Sequence, residues 1–560
     1  MHLLCKPHGR WTYPQVCTLA GESCLSLREN RFDFWYSHTT PAINNFPVEI
    51  LCSLIFFDAL RFPPSSIVSS HLAFHRSNIV LLKLTAVCRH WRSVALEYAT
   101  LWTGIAFSTS VLSTIQCAAL FLVRSKEAML SVCIMNSYPG DCETTRSCKE
   151  LLRAIFSQSH RLSTCDFSST SSSFWNNWAF PAPNLRKLTI KGYGTGAPFG
   201  FHGQAPLLES VTLLHYLPWP LGNYPSLRQV DLGNREHRDV SLALLLDALR
   251  GCEVLEELAL HGYAHLANEV SHPAPVPLPR LLKVDFFSCD SALILEHLEP
   301  RSPECSVTIF DLNPGQDILR SLPRDQSRVP PYLQGITELR VVLHSYSSQY
   351  YIAGNRENGS VALYIAVCGV DHQSRWAWVR ASIGAIASFS HFSSTRKLTL
   401  STDIPFISWD MWLPNLNHLQ DLTVSCPRSE GLLHGLLGSS PQTGLPSCPS
   451  LQSLALYRCG GCAIVDGLGL IKFVVSRYSA GRPLRQLSLH KGDWDRIQQL
   501  DSSWAALAQS QCACSRQECL EPTNAWLATR GGNVFINLPL NMDVEGLGYR
   551  YCTSDGVGWV

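Results

Sequence analysis

Cysteine is the residue type with the most chemistry to offer in this chain. Of the 22 cysteines, Cys459 and Cys462 form a Cys-Gly-Gly-Cys step that suits one half of a tetrahedral zinc site. Cys512, Cys514 and Cys519 follow closely spaced and could supply further thiolates. A single residue separates Cys512 from Cys514, which is the wrong spacing for the second half of a zinc ribbon, so no metal ligand is assigned. The other thiols are scattered. Met1 to Ala20 lacks the continuous apolar centre of a secretory signal, so the cysteines are expected to be reduced and mostly buried, and the Asn358-Gly359-Ser360 sequon carries no weight.

The other catalytic residue patterns are missing. There is no Gly-x-x-x-x-Gly-Lys-Ser/Thr loop to cradle phosphate, no His-Glu-x-x-His, and no Gly-x-Ser-x-Gly. The 20 histidines are dispersed, and a histidine such as His261 or His344 just after a strand reads as a surface residue. The serine-rich run Ser168 to Ser173 reads as an exposed loop. No catalytic residue and no cofactor is expected, and the chain is expected not to be an enzyme.

What must be positioned is therefore a surface. At 560 residues and 46% hydrophobic against 16% charged, the chain is too apolar for disorder and too long for one small core. It should form two or more domains or one repeat array. Forty-five basic against 44 acidic side chains leave a net charge of +1, so no global field favours nucleic acid or an anionic membrane. The apolar run Cys117 to Val123 falls far short of the roughly 20 residues a membrane-spanning helix needs. The expected location is cytoplasmic, nuclear or both.

A six-residue pattern recurs, with apolar residues first, fourth and sixth. Its clear copies are Leu185–Ile190, Leu208–Leu213, Leu227–Leu232, Leu255–Leu260, Leu281–Phe286, Leu419–Val424, Leu451–Leu456 and Leu484–Leu489. Weaker copies begin at Met129, Leu162, Glu304, Ile336, Ser360 and Thr395. The last two apolar positions are two apart, so on a strand they face one core and the residue between them faces outward. Ala182-Pro183-Asn184, Tyr224-Pro225-Ser226 and Cys448-Pro449-Ser450 each precede a copy and should turn the chain into its strand. Ser241 to Arg250 and Gly467 to Tyr478 carry helical spacing.

These residues resemble the leucine-rich-repeat family in its irregular form, over about 126–490. The resemblance implies an α/β solenoid with parallel strands on its concave face and helices or loops outside. A mixed α/β globular fold is the alternative. The outward positions Lys187, Thr189, Thr212, Asp231, Ala259, Asp285, Thr399, Thr423, Ala455 and Ser488 are mixed and mostly small, with no basic stripe or aromatic ladder. They name no ligand.

Residues 46–105 have another texture. Pro47 suits a first helical turn, Glu49 favours the same end, and Ile50, Leu51, Leu54 and Ile55 form a stripe. After a Pro/Ser-rich interruption a second helix is expected from Leu81 to Tyr98, with Leu81, Leu84, Val87, Cys88 and Trp91 three and four apart. Leu101-Trp102 closes the segment. Phe46-Pro47-x-Glu49-Ile50-Leu51, Val87-Cys88-Arg89-x-Trp91-Arg92 and Leu101-Trp102 resemble, in order and spacing, the F-box, a three-helix module. That resemblance implies docking onto the Skp-type adaptor of a Skp–cullin–F-box ubiquitin ligase, and through it onto the cullin, with Pro47, Ile50, Leu51, Leu54, Val87, Cys88 and Trp91 at or behind the interface. Residues 61–78 exceed the usual inter-helix connection. The helix expected over Ser113 to Ser125 leads into a first strand at Met129.

The expected organisation is an N-terminal segment over 1–44, an F-box-like helical domain over 45–105, the repeat solenoid over 106–495, and a C-terminal cap or tail over 496–560. The expected function is a substrate-recognition adaptor whose repeats bind a protein substrate. The alternatives are a leucine-rich-repeat interaction scaffold independent of any ligase, with the helices as a cap, and more distantly a zinc-dependent or hydrolytic enzyme.

Overall fold

Each clear copy of the six-residue pattern is a strand edge buried on one side. Leu185, Leu208, Leu227, Leu255, Leu281, Leu419 and Leu451 are each at most 1% exposed, and removing a leucine side chain from water this completely contributes about 2 kcal/mol. A tight turn delivers each strand. The N–H groups of Leu185, Leu227, Leu281 and Leu451 donate to the carbonyls of Ala182, Tyr224, Leu278 and Cys448 at 3.1 to 3.2 Å. Pro183, Pro225, Pro279 and Pro449 hold the second position of these turns, where a fixed φ is already correct. The sequence reading holds for the turns from Ala182, Tyr224 and Cys448, and the structure adds the one from Leu278.

The computed structural model describes residues 47–51, 78–135, 142–169, 180–192, 204–214, 221–234, 240–264, 266–267, 274–311, 335–343, 349–368, 394–402, 416–426, 430–438, 447–458 and 465–489, with 533–535, 550–553, 556–559 and a few isolated positions. Residues 1–44, Leu54, most of 61–78, the Cys459/Cys462 pair, and Cys512, Cys514 and Cys519 lie outside them. The fold is mixed α/β with an extensive, mostly parallel sheet. It divides into two compact units, one built from the chain up to Gly194 with 199–205, the other from 195–198 and Pro206 onward.

The first unit starts with one helical turn, Val48–Ile50. Helix α1 (78–84) and helix α2 (Arg89–Glu97) follow. Here the structure corrects the single helix expected from Leu81 to Tyr98. The Thr85 hydroxyl donates to the Leu82 carbonyl at 2.7 Å, residues 85–87 turn, and Cys88 is extended. The helix restarts with the Cys88 sulfur as its cap, accepting from the Trp91 N–H at 3.4 Å. A β-branched residue whose side chain bonds its own helix favours such a break.

Four parallel strands continue this unit: β1 (Gly104–Ser108), β2 (Leu130–Met135), β3 (Leu162–Ser169) and β4 (Lys187–Gly192), hydrogen bonded in that order. The first strand is therefore β1, before the helix expected over Ser113 to Ser125. That helix is α3 (Leu112–Arg124), and α4 (Cys142–Phe156) links β2 to β3. Trp102 is fully buried. Its indole N–H donates to the Ala95 carbonyl at 2.6 Å, its ring meets Phe121 of α3 edge-on at 4.9 Å, and the Arg124 guanidinium lies 4.3 Å above it.

The second unit grows one strand at a time. Strands β5 (Ser210–Leu214), β6 (Gln229–Gly233), β7 (Glu257–His261), β8 (Lys283–Phe287) and β9 (Ser306–Asp311) pair in parallel and in sequence order. Helices α5 (Leu242–Leu249) and α6 (Ser291–Leu295) lie between strands. Ser241 caps α5 by accepting from the Leu244 N–H at 3.4 Å, where the sequence places the helix start.

The order then inverts. Strands β10 (Ile336–Leu343), β11 (Gln349–Arg356) and β12 (Val361–Cys368) form an antiparallel meander in which β12, not β10, lies beside β9. Parallel pairing resumes from β10 through β13 (Lys397–Thr402), β14 (Asp421–Cys426), β15 (Ser453–Arg458) and β16 (Gln486–Leu489). Helix α7 (Glu430–Leu437) follows β14, and α8 (Gly467–Ser479) occupies the stretch expected to be helical. The weak copies at Ile336 and Ser360 are strands of this meander, so they are not successive neighbours.

Candidate functional site

The candidate residues lie on two surfaces, one per unit. In the first, the seven residues singled out from the sequence separate by burial. Leu51 is fully buried and Trp91 is 4% exposed, so both belong to the core. Pro47 is exposed, Ile50 is 36% exposed and Val87 58%. Cys88 is half-buried and spends its sulfur on the α2 cap. Leu54 lies outside the described residues. The stripe of Leu81, Leu84, Val87, Cys88 and Trp91 is therefore not one helix face, because the break at 85–88 turns Val87 outward.

In the second unit, the outward face of the sheet carries a ladder that the six-residue pattern does not contain. Registers across β5 to β9 and β12 align Thr212, Asp231, Ala259, Asp285, Thr308 and Tyr364 in one row. Two residues further along each strand they align Leu214, Gly233, His261, Phe287, Phe310 and Ala366. In that second row the rings stack: His261 on Phe287 at 4.3 Å and 3°, and Phe287 on Phe310 at 4.8 Å and 8°. Phe310 continues to Tyr364 at 6.0 Å, Tyr364 to Tyr351 at 5.7 Å, and the Arg340 guanidinium lies 5.8 Å from the Tyr351 ring.

Strand spacing explains the geometry. Neighbouring strands lie about 4.8 Å apart, so rings at the same register stack face to face along the row and present their edges outward. All are half-buried, where outward positions of an unoccupied sheet are ordinarily polar. The pattern stops at its sixth residue and this row is the seventh, which is why sequence reasoning saw no aromatic ladder. Leu258, Leu260, Val284 and Phe286 on the opposite face are at most 1% exposed.

Charge gathers at one end of the ladder. The His261 Nε2 lies 3.0 Å from Asp231 Oδ1, within ion-pair distance when the ring is protonated but off the line of a hydrogen bond. Lys283 Nζ donates to Asp285 Oδ2 at 2.7 Å, while Asp285 Oδ1 is buried with no hydrogen-bond partner. The Tyr263 hydroxyl, just beyond β7, is likewise buried and without a hydrogen-bond partner. Burial above all, then the neighbouring Cys289 and Asp231, pushes its proton affinity up. It therefore stays a neutral donor near Asp231.

Among the described residues no group of three or more histidine, cysteine, aspartate or glutamate side chains could hold a metal ion. None of the described helices is long and apolar enough to cross a membrane. No protein-family model and no curated protein matches the chain.

Proposed function

We propose that this chain is a non-catalytic substrate receptor of a Skp–cullin–F-box ubiquitin ligase. The F-box-like segment over 45–105 docks the Skp-type adaptor and, through it, the cullin; the outward sheet face of the second unit holds a protein substrate. The observation that carries the reading is the succession of in-register parallel strands, several opened by the same proline turn, in a chain whose described residues 78–97 form two short helices ahead of the first strand. The resemblance to an F-box followed by a leucine-rich-repeat solenoid implies such a run of parallel strands, and the run supports the reading without deciding it. Ile50 and Val87 support the docking role, because they are large apolar side chains left on the surface of that segment. The substrate lysine then reacts by proximity to ubiquitin carried by other subunits, with no reacting group needed from this chain.

Co-purification with a Skp adaptor tests it. Ile50→Asp with Val87→Asp should abolish adaptor binding while thermal unfolding stays within about 1 kcal/mol of wild type, since both side chains are exposed. Failure of folded wild type to bind any Skp adaptor would refute the receptor reading and leave an interaction scaffold independent of the ligase, with the helices as its cap.

A further inference from the structure

The aromatic row of the second unit ends at Arg340. Its backbone shares a register row with Ala353 and Tyr364, but its guanidinium extends to within 5.8 Å of the Tyr351 ring. The side chain is half-buried and, among the described residues, has neither an ion-pair nor a hydrogen-bond partner.

The acids of this face are placed elsewhere. Across β9, β12, β11 and β10 the only described outward carboxylate is Glu338, and Lys397 Nζ lies 3.0 Å from its Oε1. Asp421 stands beyond Lys397, on the side of β10 away from Tyr351. At the other end of the row, Asp285 has Lys283 at 2.7 Å and Asp231 has His261 at 3.0 Å. An apolar track of half-buried rings therefore closes on one unpaired positive charge.

We infer that this face receives an extended segment of a partner protein lying across the strands, with one aspartate or glutamate carboxylate on Arg340 and apolar side chains on the ring edges of Phe310 and Phe287. Charge sets the first contact. A guanidinium holds a carboxylate by two parallel charge-assisted hydrogen bonds, and one positive charge matches one carboxylate. A phosphate would bring further negative charge beside Glu338. Distance sets the rest. Phe310 is three strands from Arg340 and Phe287 four, about 14 and 19 Å. An extended chain advances about 3.4 Å per residue and turns alternate side chains to one face, so apolar residues four and six positions from the acid meet those rings. Calling that partner a ubiquitination substrate rests on the receptor reading above; the spacing of acid and apolar residues does not.

Fluorescent nonapeptides test it on the full chain. Their second residue is glutamate, glutamine or phosphoserine, phenylalanine fills the sixth and eighth positions, and serine and threonine fill the rest. Each is also made in reversed order, because either chain direction fits the row. In one direction the glutamate peptide should bind wild type at least about 10-fold more tightly than the glutamine peptide. Arg340→Gln should erase that preference, and Arg340→Glu should turn it toward a peptide with lysine in the second position, a reversal that misfolding cannot produce. Moving both phenylalanines one residue toward the acid turns them off the face and should weaken binding at least about 10-fold. Equal or undetectable binding of the glutamate and glutamine peptides to wild type overturns the inference, as does tighter binding of the phosphoserine peptide, indifference to the phenylalanine shift, or a glutamate preference that survives Arg340→Gln. So does a concentration-dependent dimer in sedimentation that Arg340→Gln abolishes, because the face then belongs to a second copy. Adaptor co-purification from the same preparations separates the two ideas. Adaptor binding without glutamate preference sinks only the acidic segment, and glutamate preference without adaptor binding sinks only the receptor.

Discussion

Cys252, Cys305 and Cys448 are each at most 2% exposed, and burial pushes each thiol from 9.0 up to about 12. Cys117 and Cys148 are raised to about 11, again chiefly by burial. The thiolate is the reactive form, so these cysteines should be inert in the folded chain. Labelling with a disulfide exchange reagent at pH 8 should leave them unmodified and proceed only on unfolding, and prompt labelling of Cys148, Cys252, Cys305 or Cys448 in the native protein would refute their burial. The pH dependence of stability follows with a definite sign. Below about 9 both folded and unfolded states hold these protons. Between about 9 and 12 the unfolded chain releases them and the folded chain does not, so the stability that is complete below pH 9 declines as pH rises. The slope is up to about 1.4 kcal/mol per pH unit for each thiol. Denaturant midpoints measured from pH 8 to 11 check it, and a flat profile would contradict it. The burial of cysteines such as Cys252, Cys305 and Cys448 was legible from their scatter through the chain, whereas the aromatic row was not, because it becomes a ladder only when strand register sets His261, Phe287 and Phe310 side by side.

Between elements, backbone approach and buried arginines join consecutive turns. Gly222, in the short helical turn Leu221–Asn223, lies against Gly251 after α5. A Cβ at Gly222 would collide with the Arg250 carbonyl oxygen, and Gly251 has φ +90° with Gly222 Cα only 3.3 Å from where its own Cβ would stand. Gly222→Ala should therefore destabilise the fold by about 2 kcal/mol or more, since backbone must move. Arg477 of α8, 3% exposed, donates to the carbonyls of Cys448 at 3.1 Å, Leu451 at 2.8 Å, Pro449 at 3.3 Å and Arg482 at 3.1 Å. It stitches the helix to the turn that opens β15. Arg477→Leu should cost about 3 kcal/mol in thermal or denaturant unfolding by stranding those carbonyls, and Arg477→Lys should recover only part because an ammonium cannot fork. A loss below about 1 kcal/mol would show that water replaces the guanidinium. Elements set by local chemistry were legible: the proline turns, α5 from Ser241, and α8. Two were not. The break at Thr85 hides inside good helical spacing, and the hairpin between β11 and β12 was written in Asn358-Gly359. There Gly359 takes φ +80° and the Arg356 N–H donates to the Ser360 carbonyl at 2.9 Å, closing the turn.

At the scale of the whole molecule, the second unit has the connectivity of a line. Each strand from β5 to β9 hydrogen bonds to the strands beside it and the hydrophobic residues beneath belong to the same neighbours, so order should be lost locally before it is lost globally. Leu258, 1% exposed on β7, is the place to perturb. Leu258→Ala removes a core side chain at a cost of about 2–5 kcal/mol. If cooperativity runs strand to strand, amide hydrogen exchange should accelerate in Gln229–Gly233, Glu257–His261 and Lys283–Phe287. It should stay near wild type in Asp421–Cys426 and Ser453–Arg458, because the antiparallel meander of β10 to β12 separates the two stretches. Uniform acceleration across all five strands would instead mean that the unit opens as one block. The distinction bears on function. A face assembled from locally stable strands can carry different side chains at each register position, Asp231 and Asp285 at one end and Arg340 at the other, and a change in the outward residues of one strand need not be compensated in the rest.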